Sequence, residues 1–252
     1  MTLNKEDKVQ NDNYDKNFAL FYDEYLTGHA KRSANKILEL NKNLGKNNSI
    51  IDFMCGTGTL LEIFDKKGWR TTGVDLSEQM LSIAKSRLKN TELFLNDVTL
   101  FRSKEKYDMV VSTADAFNHL PKKEMIQQGF EAAVDCLNEN GSFIFDMNTI
   151  LGIEKNAYYI SSSDEKGLSI REGFVDKLHK IGYTRFQGTF TPSGSTKNLR
   201  FDSIIYNYMY HMDDVKKMLV KAGFRKVDIK DYETLEEWEP KLSERVLIIA
   251  TL

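Results

Sequence analysis

The chain has 252 residues, with 35 Lys and Arg against 37 Asp and Glu, a formal net charge of -2 at pH 7. That balance excludes a general attraction to nucleic acid or anionic membrane, and 41% hydrophobic residues with only 3 prolines exclude a disordered chain. No apolar run approaches the roughly 18 residues of a membrane span. The opening Met1–Asp7 lacks the apolar centre of a signal peptide. The 2 cysteines, Cys55 and Cys136, are too few for a disulfide framework or zinc cluster, so a reduced, cytoplasmic protein is expected.

Residues 1 to about 17 are polar and read as a loose arm, followed by an aromatic segment from Phe18 to Leu26. Ala30, Ala34, Ile37 and Leu38 recur at helical spacing, which predicts an amphipathic helix over 29–41, ended by Gly45 and the asparagines after it. A short apolar strand, Ser49–Phe53, then runs into the turn Gly56-Thr57-Gly58 and a helix that starts near Leu60 and stops at Gly68. Strands are predicted at Arg70–Asp75, Glu92–Leu95, Tyr107–Ser112 and Ser142–Asp146. Between them lie a helix capped by Ser77, with Met80, Leu81, Ala84 and Leu88 inward, and another lined by Met125, Ile126, Phe130, Ala133, Val134 and Leu137. Strands separated by helices of this length predict a doubly wound, mostly parallel, Rossmann-like α/β sheet with helices on both faces.

After residue 150 the rhythm changes. Leu168–Asp176, Tyr183–Thr191 and Leu199–Tyr210 read as three consecutive strands, an antiparallel β insertion after strand five. A helix containing Val215, Met218, Leu219 and Ala222 and two closing strands, Phe224–Tyr232 and Arg245–Leu252, bring the expected core to seven strands. The expected division is a core of 1–148 and 211–252 with an insertion at 149–210.

Chemistry concentrates where the first three strands end. Gly56 and Gly58 permit close approach of a ligand to the backbone, at the sheet edge where open parallel sheets bind ligands. Asp52, Asp75 and Asp97 place an acid on each of three successive strands or strand ends. One such acid is ordinarily a cap or a solvated turn residue; three together point to a nucleoside. The dinucleotide fingerprint needs a third glycine, and Leu61 stands there; the phosphate-loop Gly-Lys-Ser/Thr is also absent. A ligand with ribose and adenine but no phosphate fits, which describes S-adenosylmethionine.

Asp52-Phe53-Met54-Cys55-Gly56-Thr57-Gly58, Gly73-Val74-Asp75-Leu76-Ser77-Glu78-Gln79-Met80-Leu81 and Asn96-Asp97-Val98 resemble the first three motifs of class I S-adenosylmethionine-dependent methyltransferases. Tyr107–Ser112, Gly141–Asp146 and Gly223-Phe224 resemble later segments of that family. Met54 departs from it, since the family usually has Gly or Ala there. The resemblance implies that Asp75 binds the ribose hydroxyls and Asp97 the adenine amine, with Leu76, Met80 and Val98 packing at the adenosine. Gly56, Thr57 and Gly58 would wrap the methionine portion, with Met54 in the same loop and Asp52 holding that loop. Thr113 and Ala114 would border the sulfonium, and Tyr22 or Tyr25 with Lys31 or Arg32 would close from above. The insertion resembles that of small-molecule methyltransferases, including amino-sugar N-methyltransferases, in which it covers the acceptor.

Transfer from a sulfonium is mainly a matter of alignment. A base can assist at an amine or hydroxyl, and His119, which would also border the cofactor, and His211 are the candidates; each is also readable as a structural histidine. Cys55 and Cys136 read as packing. Tyr206, Tyr208 and Tyr210 alternate onto one strand face, expected to line the acceptor pocket. The expected activity is N- or O-methylation of a small molecule, yielding S-adenosylhomocysteine, by a monomer or homodimer without a metal. The alternatives are an RNA or protein methyltransferase, disfavoured by charge and the lack of a separate binding domain, and a non-catalytic cofactor-binding protein.

Overall fold

The computed structural model describes residues 14–44 and 48–252; the expected polar arm up to residue 13 and the helix stop at Gly45 lie outside them. Helix α1 (Lys16–Tyr25) starts where Asp15 accepts the Phe18 N–H at 2.8 Å, and α2 (Gly28–Leu44) follows. The core then alternates β1 (Ser49–Phe53), α3 (Thr59–Asp65), β2 (Arg70–Asp75), α4 (Glu78–Arg87), β3 (Glu92–Leu95), β4 (Tyr107–Ser112), a 3-10 turn (Ala116–His119), α5 (Lys123–Cys136) and β5 (Leu137–Asn148). It resumes after the insertion with α7 (Met212–Ala222), β10 (Lys226–Asp231) and β11 (Arg245–Thr251). The seven strands stand in the order β10-β11-β5-β4-β1-β2-β3, with β11 alone antiparallel to its neighbours.

Both faces of this sheet are covered, and alternation divides each strand between them. Ile51 and Val110 point to the side packed by Phe130 of α5 and Leu219 of α7; Ile50 and Val111 point to the side packed by Ile37, Leu61 and Leu81. Fully burying each such side chain contributes about 1.5–3 kcal/mol before entropy is counted. Gly73 on β2 is fixed by this packing. A Cβ there would come within 2.9 Å of the Leu61 side chain and 2.8 Å of Cys55 Sγ, so the residue that replaces a third glycine is seated on the sheet by a glycine opposite it.

The insertion holds α6 (Ile150–Glu154) and four strands, β6 (Tyr158–Asp164), β7 (Gly167–Asp176), β8 (Ile181–Phe190) and β9 (Leu199–Tyr208), in an antiparallel sheet of that order. Three strands were expected. The missed one, Tyr158-Tyr159-Ile160-Ser161-Ser162-Ser163-Asp164, is an edge whose side chains are nearly all exposed, so it lacks the apolar alternation that marks a half-buried strand. Helix α1 is the hinge-pin between the two sheets. Phe18 and Phe21 pack on Phe190 and Phe201, with Phe21 and Phe201 stacked at 4.1 Å. Asp23 takes two hydrogen bonds from Arg87 of α4 at 2.6 and 2.7 Å, and Glu24 pairs with Lys166 and Ser193 of the insertion.

Candidate active site

The loop after β1 turns through three left-handed residues, Met54 (φ 60°), Gly56 (φ 55°) and Gly58 (φ 76°). At Met54 the Cβ makes that conformation cost about 1–2 kcal/mol, the physical reason glycine is favoured at this place. Asp75, at the end of β2, fixes the loop: its Oδ2 accepts the Gly56 N–H at 2.7 Å and its Oδ1 the Ser77 N–H at 2.8 Å. Gly58 caps α3, and a Cβ on it would sit 2.6 Å from Leu88.

A small cavity of about 30 Å³ opens at this loop, lined among others by Tyr22, Asp52, Met54, Gly56, Thr57, Thr113 and Ala114. Seven residues singled out in the sequence thus converge from β1, its loop, β4 and α1. Inside the cavity lining, Asp52 Oδ1 and Thr57 Oγ1 are buried without a hydrogen-bond partner. Burial, then the charge of Asp75, pushes the Asp52 carboxyl well above its ordinary range. An orphaned acceptor and an orphaned hydroxyl in the lining of one cavity suit an ammonium and a carboxylate respectively, the two groups at the methionine end of S-adenosylmethionine. The residues present therefore fit the methionine end of that cofactor.

The wall formed by Thr113 and Ala114 is held by a network that the sequence did not disclose. Ala114 (φ 62°) and Asp115 (φ 50°) are consecutive left-handed residues without glycine, a strained arrangement that surrounding contacts must impose. Asp146 of β5, wholly buried, accepts both their N–H groups, at 3.0 Å from Ala114 and 2.8 Å from Asp115. Arg245 of β11 donates to Asp146 at 2.6 Å and to Asp115 at 2.8 Å. His29 of α2 donates from Nε2 to Asp146 at 3.0 Å and stacks on Tyr232, whose hydroxyl meets Ser33 at 2.8 Å. Burial opposes ionisation of Asp146, but Arg245 and His29 outweigh it and hold the carboxyl far below its ordinary range. The same two aspartates hold the Arg245 guanidinium charged against burial.

Tyrosines complete the roof. Tyr22 lies against Gly56, where a Cβ would be 4.0 Å from its ring. Burial, then Asp115 and Asp75, raise its phenol so that it stays protonated, and burial, Tyr22, Asp75 and Asp115 do the same for Tyr14. Tyr14 was not among the expected residues; it precedes the helix in a segment read as a loose arm.

Several expected residues lie elsewhere. Tyr25 points away from the cavity, donating to Asp164 of β6 at 2.9 Å beside a separate cavity of about 230 Å³ lined also by Phe21, Ser162 and Phe190. That space is larger but touches none of the motif residues. Lys31 and Arg32 are exposed on α2 outside the cavity lining, because the face of α2 that meets the core carries Ala34 and Ile37. His211 is exposed at the start of α7, where its carbonyl accepts the helix's first N–H groups. Asp97 closes its own turn, its Oδ1 accepting from Thr99 N and Oγ1 at 2.8 Å each. Met80 and Val98 are buried in the core and Leu76 is 47% exposed at the rim. His119 ends the 3-10 turn with Nδ1 2.7 Å from the Tyr206 carbonyl of β9, which places the ring hydrogen on Nδ1.

The expected tyrosine face is also corrected. The strand β9 ends at Tyr208, and Tyr210 leaves it to be buried in the core, its hydroxyl donating to the Leu120 carbonyl. Tyr206 packs on Tyr183, on the face opposite to the one whose Phe186, Phe190 and Phe201 meet α1. Burial raises the Cys55 and Cys136 thiols, that of Cys136 to about 11, so neither is an activated nucleophile. Among the described residues there is no cluster suited to a metal and no helix long and apolar enough to cross a membrane.

Comparison with known proteins identifies the family. A family model described as a methyltransferase domain matches residues 50–141. The dTDP-3-amino-3,4,6-trideoxy-alpha-D-glucopyranose N,N-dimethyltransferase of Streptomyces venezuelae is 31% identical over 217 residues, 84% of this chain and 92% of that protein. An S-adenosylmethionine-dependent methyltransferase from Clostridium acetobutylicum shares the fold at a TM-score of 0.81, with 23% identity, over 93% of this chain and 97% of that one. The sugar N-methyltransferase KedS8 from Streptoalloteichus does so at 0.76, with 16% identity, over 93% and 92%. With the sequence match running through most of both chains and the fold in agreement, the chain belongs to the class I S-adenosylmethionine-dependent methyltransferases.

Proposed function

We propose that this enzyme methylates an amine on a small, sugar-like acceptor held between the core and the inserted sheet. The observation that carries the reading is the inserted antiparallel sheet, which meets the core beside the cavity wall through Asn207 with Asn148 and through the Tyr206 carbonyl with His119. The Streptomyces relative, by its name, acts on a 3-amino sugar.

When bound, S-adenosylmethionine supplies an electrophilic methyl on a sulfonium. The chain's own residues position it. Asp52 accepts from the ammonium, Thr57 donates to the carboxylate, and Asp75, with a lone pair to spare on each oxygen, accepts from the ribose. Asp97 keeps Oδ2 for the adenine amine, between Leu76, Met80 and Val98. His119, with its hydrogen on Nδ1, has its lone pair on Nε2 in the neutral ring, the form that can take a proton from an amine. Tyr22, which lies against Gly56 and lines the cavity, would cover the methionine end of the bound cofactor.

The test is conversion of S-adenosylmethionine to S-adenosylhomocysteine with panels of amino sugars, neutral sugars, phenols and RNA. Turnover confined to the amino sugars is expected. Turnover with phenols or RNA and none with amines would overturn the acceptor assignment, and binding without turnover on any panel would favour a non-catalytic role.

A further inference from the structure

We infer that Asn118 is a positioning residue of the reaction: its side chain ties the turn after β4 to the exit strand of the inserted sheet and so holds the His119 ring in one orientation. The inference rests on the reading above in giving His119 the part of base.

β9 is the last strand of the inserted sheet and pairs within it with β8 alone. A strand at an edge leaves a row of backbone groups to be satisfied. In an antiparallel pair alternate residues turn their carbonyls to the same side, and Tyr206 and Tyr208 are two such residues. The turn after β4 supplies a donor to each. Asn118 Nδ2 donates to the Tyr208 carbonyl at 3.1 Å, and His119 Nδ1 donates to the Tyr206 carbonyl at 2.7 Å. One residue further on, the Leu120 carbonyl accepts from the Tyr210 hydroxyl. Residues 118–120 are thereby set in register against alternate residues of 206–210.

Asn118 anchors that register. It is wholly buried, and both N–H groups and the oxygen of its amide are used. Besides Tyr208, Nδ2 donates to the Asn148 carbonyl at 3.2 Å, and Oδ1 accepts the Asn148 N–H at 2.9 Å. Asn148 ends β5, and its own side chain donates to Asn207 Oδ1 of β9 at 3.0 Å. One amide therefore joins three backbones: the turn, β5 and β9. Two donors and an acceptor are what this place requires, and a carboxylate of the same shape would face two carbonyls.

The consequence falls on the next residue. The bond from His119 Nδ1 forms only while the His119 backbone keeps its distance from Tyr206, and Asn118, bonded two residues further along the same strand, secures that distance. A neutral ring with its hydrogen on Nδ1 takes up a proton at Nε2, so the orientation of the ring decides from where a proton is taken. The same turn begins at the strained pair, because the Asn118 N–H donates to the Asp115 carbonyl at 2.8 Å. The Thr113 and Ala114 wall and the base thus share one short segment, and a displacement of about 1 Å between reacting groups can cost about a hundred-fold in rate.

Two measurements on the full chain test this, and the first needs no acceptor. With ring-nitrogen-labelled histidine, at a pH where histidine is neutral, the His119 signal is identified by its absence in His119→Asn. Wild type should show the hydrogen on Nδ1 alone, and Asn118→Ala a mixture of both tautomers. Asn118→Ser, which keeps one donor, should fall between them, and it carries the test should Asn118→Ala fail to fold. S-adenosylhomocysteine affinity by calorimetry should stay within about two-fold in both variants, which reports that they are folded. The second measurement is turnover with the amino sugar that wild type converts fastest. Asn118→Ala should lower kcat by about ten- to a hundred-fold, but by less than about two-fold when added to His119→Asn, since residues that act as a unit are not additive. An unchanged tautomer in Asn118→Ala, or the same fold-loss of kcat in the wild-type and His119→Asn backgrounds, would overturn the inference and leave His119 in its role. Full turnover by His119→Asn would instead overturn the assignment of His119 as base, and the inference with it.

Discussion

Asp52 should act against the fold and for the ligand, and Asp52→Asn separates the two. The carboxyl is 2% exposed, Oδ1 has no partner, and Asp75 faces it with the same charge. An unsatisfied buried polar group costs about 1–3 kcal/mol, more if charged. Asn keeps the shape and removes the charge, so the ligand-free variant should be about 1 kcal/mol more stable at pH 7, the low end of that range. The sign follows from the raised pKa. Ionisation is harder in the fold than in the unfolded chain, so this group's contribution to stability falls as pH rises from about 4 toward the folded value. The variant should lose that part of the pH dependence. Binding moves the other way. Losing a charge-assisted bond to the ammonium costs about 1.5–3 kcal/mol, or about ten- to a hundred-fold in affinity. Denaturant unfolding from pH 4 to 8, with calorimetry of S-adenosylhomocysteine, measures both. A variant that is less stable without ligand and binds within two-fold of wild type would refute the assignment of Asp52 to the ammonium.

Asp75→Ala should weaken S-adenosylhomocysteine by at least about ten-fold, because the ribose and the Gly56 N–H lose their acceptor together; unchanged calorimetry in a folded variant would sink that role. Asp146→Asn should destabilise by about 3–5 kcal/mol, the cost of breaking a buried pair, and a loss below 1 kcal/mol by denaturant unfolding would show that Arg245 is satisfied otherwise. Because the Asp146 carboxyl is depressed, its stabilisation is full above about pH 4 and fades as pH falls toward the folded value, a dependence the variant should lack. Thermal shift should rise with S-adenosylmethionine or S-adenosylhomocysteine and stay flat with NAD, since Leu61 fills the place of a third glycine.

The parallel core and its glycine loop were legible because their signals are local. Gly56, Gly58, Asp52 and Asp75 lie within 24 residues of one another in the chain, and strand and helix periods between them leave few ways to arrange the sheet. Leu61 could be read as evidence against a pyrophosphate before Gly73 was seen to seat it. Where the reading failed, the missing information was non-local or the pattern was weak. Tyr25 and Tyr22 are three residues apart on one helix, and no periodicity says which looks toward Gly56 and which toward Asp164. The edge strand Tyr158–Asp164 has no buried face to leave a pattern. Tyr210 continues the alternation of β9, but the strand has already ended, and its ring belongs to the core.

The network around Asp146 shows the same limit in its strongest form. His29, Asp115, Asp146 and Arg245 come from α2, the turn after β4, β5 and β11, and Arg245 is 216 residues from His29. In the sequence each has an unremarkable reading: a polar helix residue, two acids at strand ends, a basic residue opening the last strand. Only the fold shows that Asp146 binds both N–H groups of a left-handed pair, and that the pair's first residue is a wall of the cavity. Asp146 accepts from both N–H groups of the strained pair, and Arg245 and His29 favour the ionised carboxylate that does so. The shape of the cavity beside Thr113 therefore depends on the last strand of the chain as much as on the glycine loop. This gives β11, antiparallel and distant in sequence, a direct part in holding the wall of the cavity.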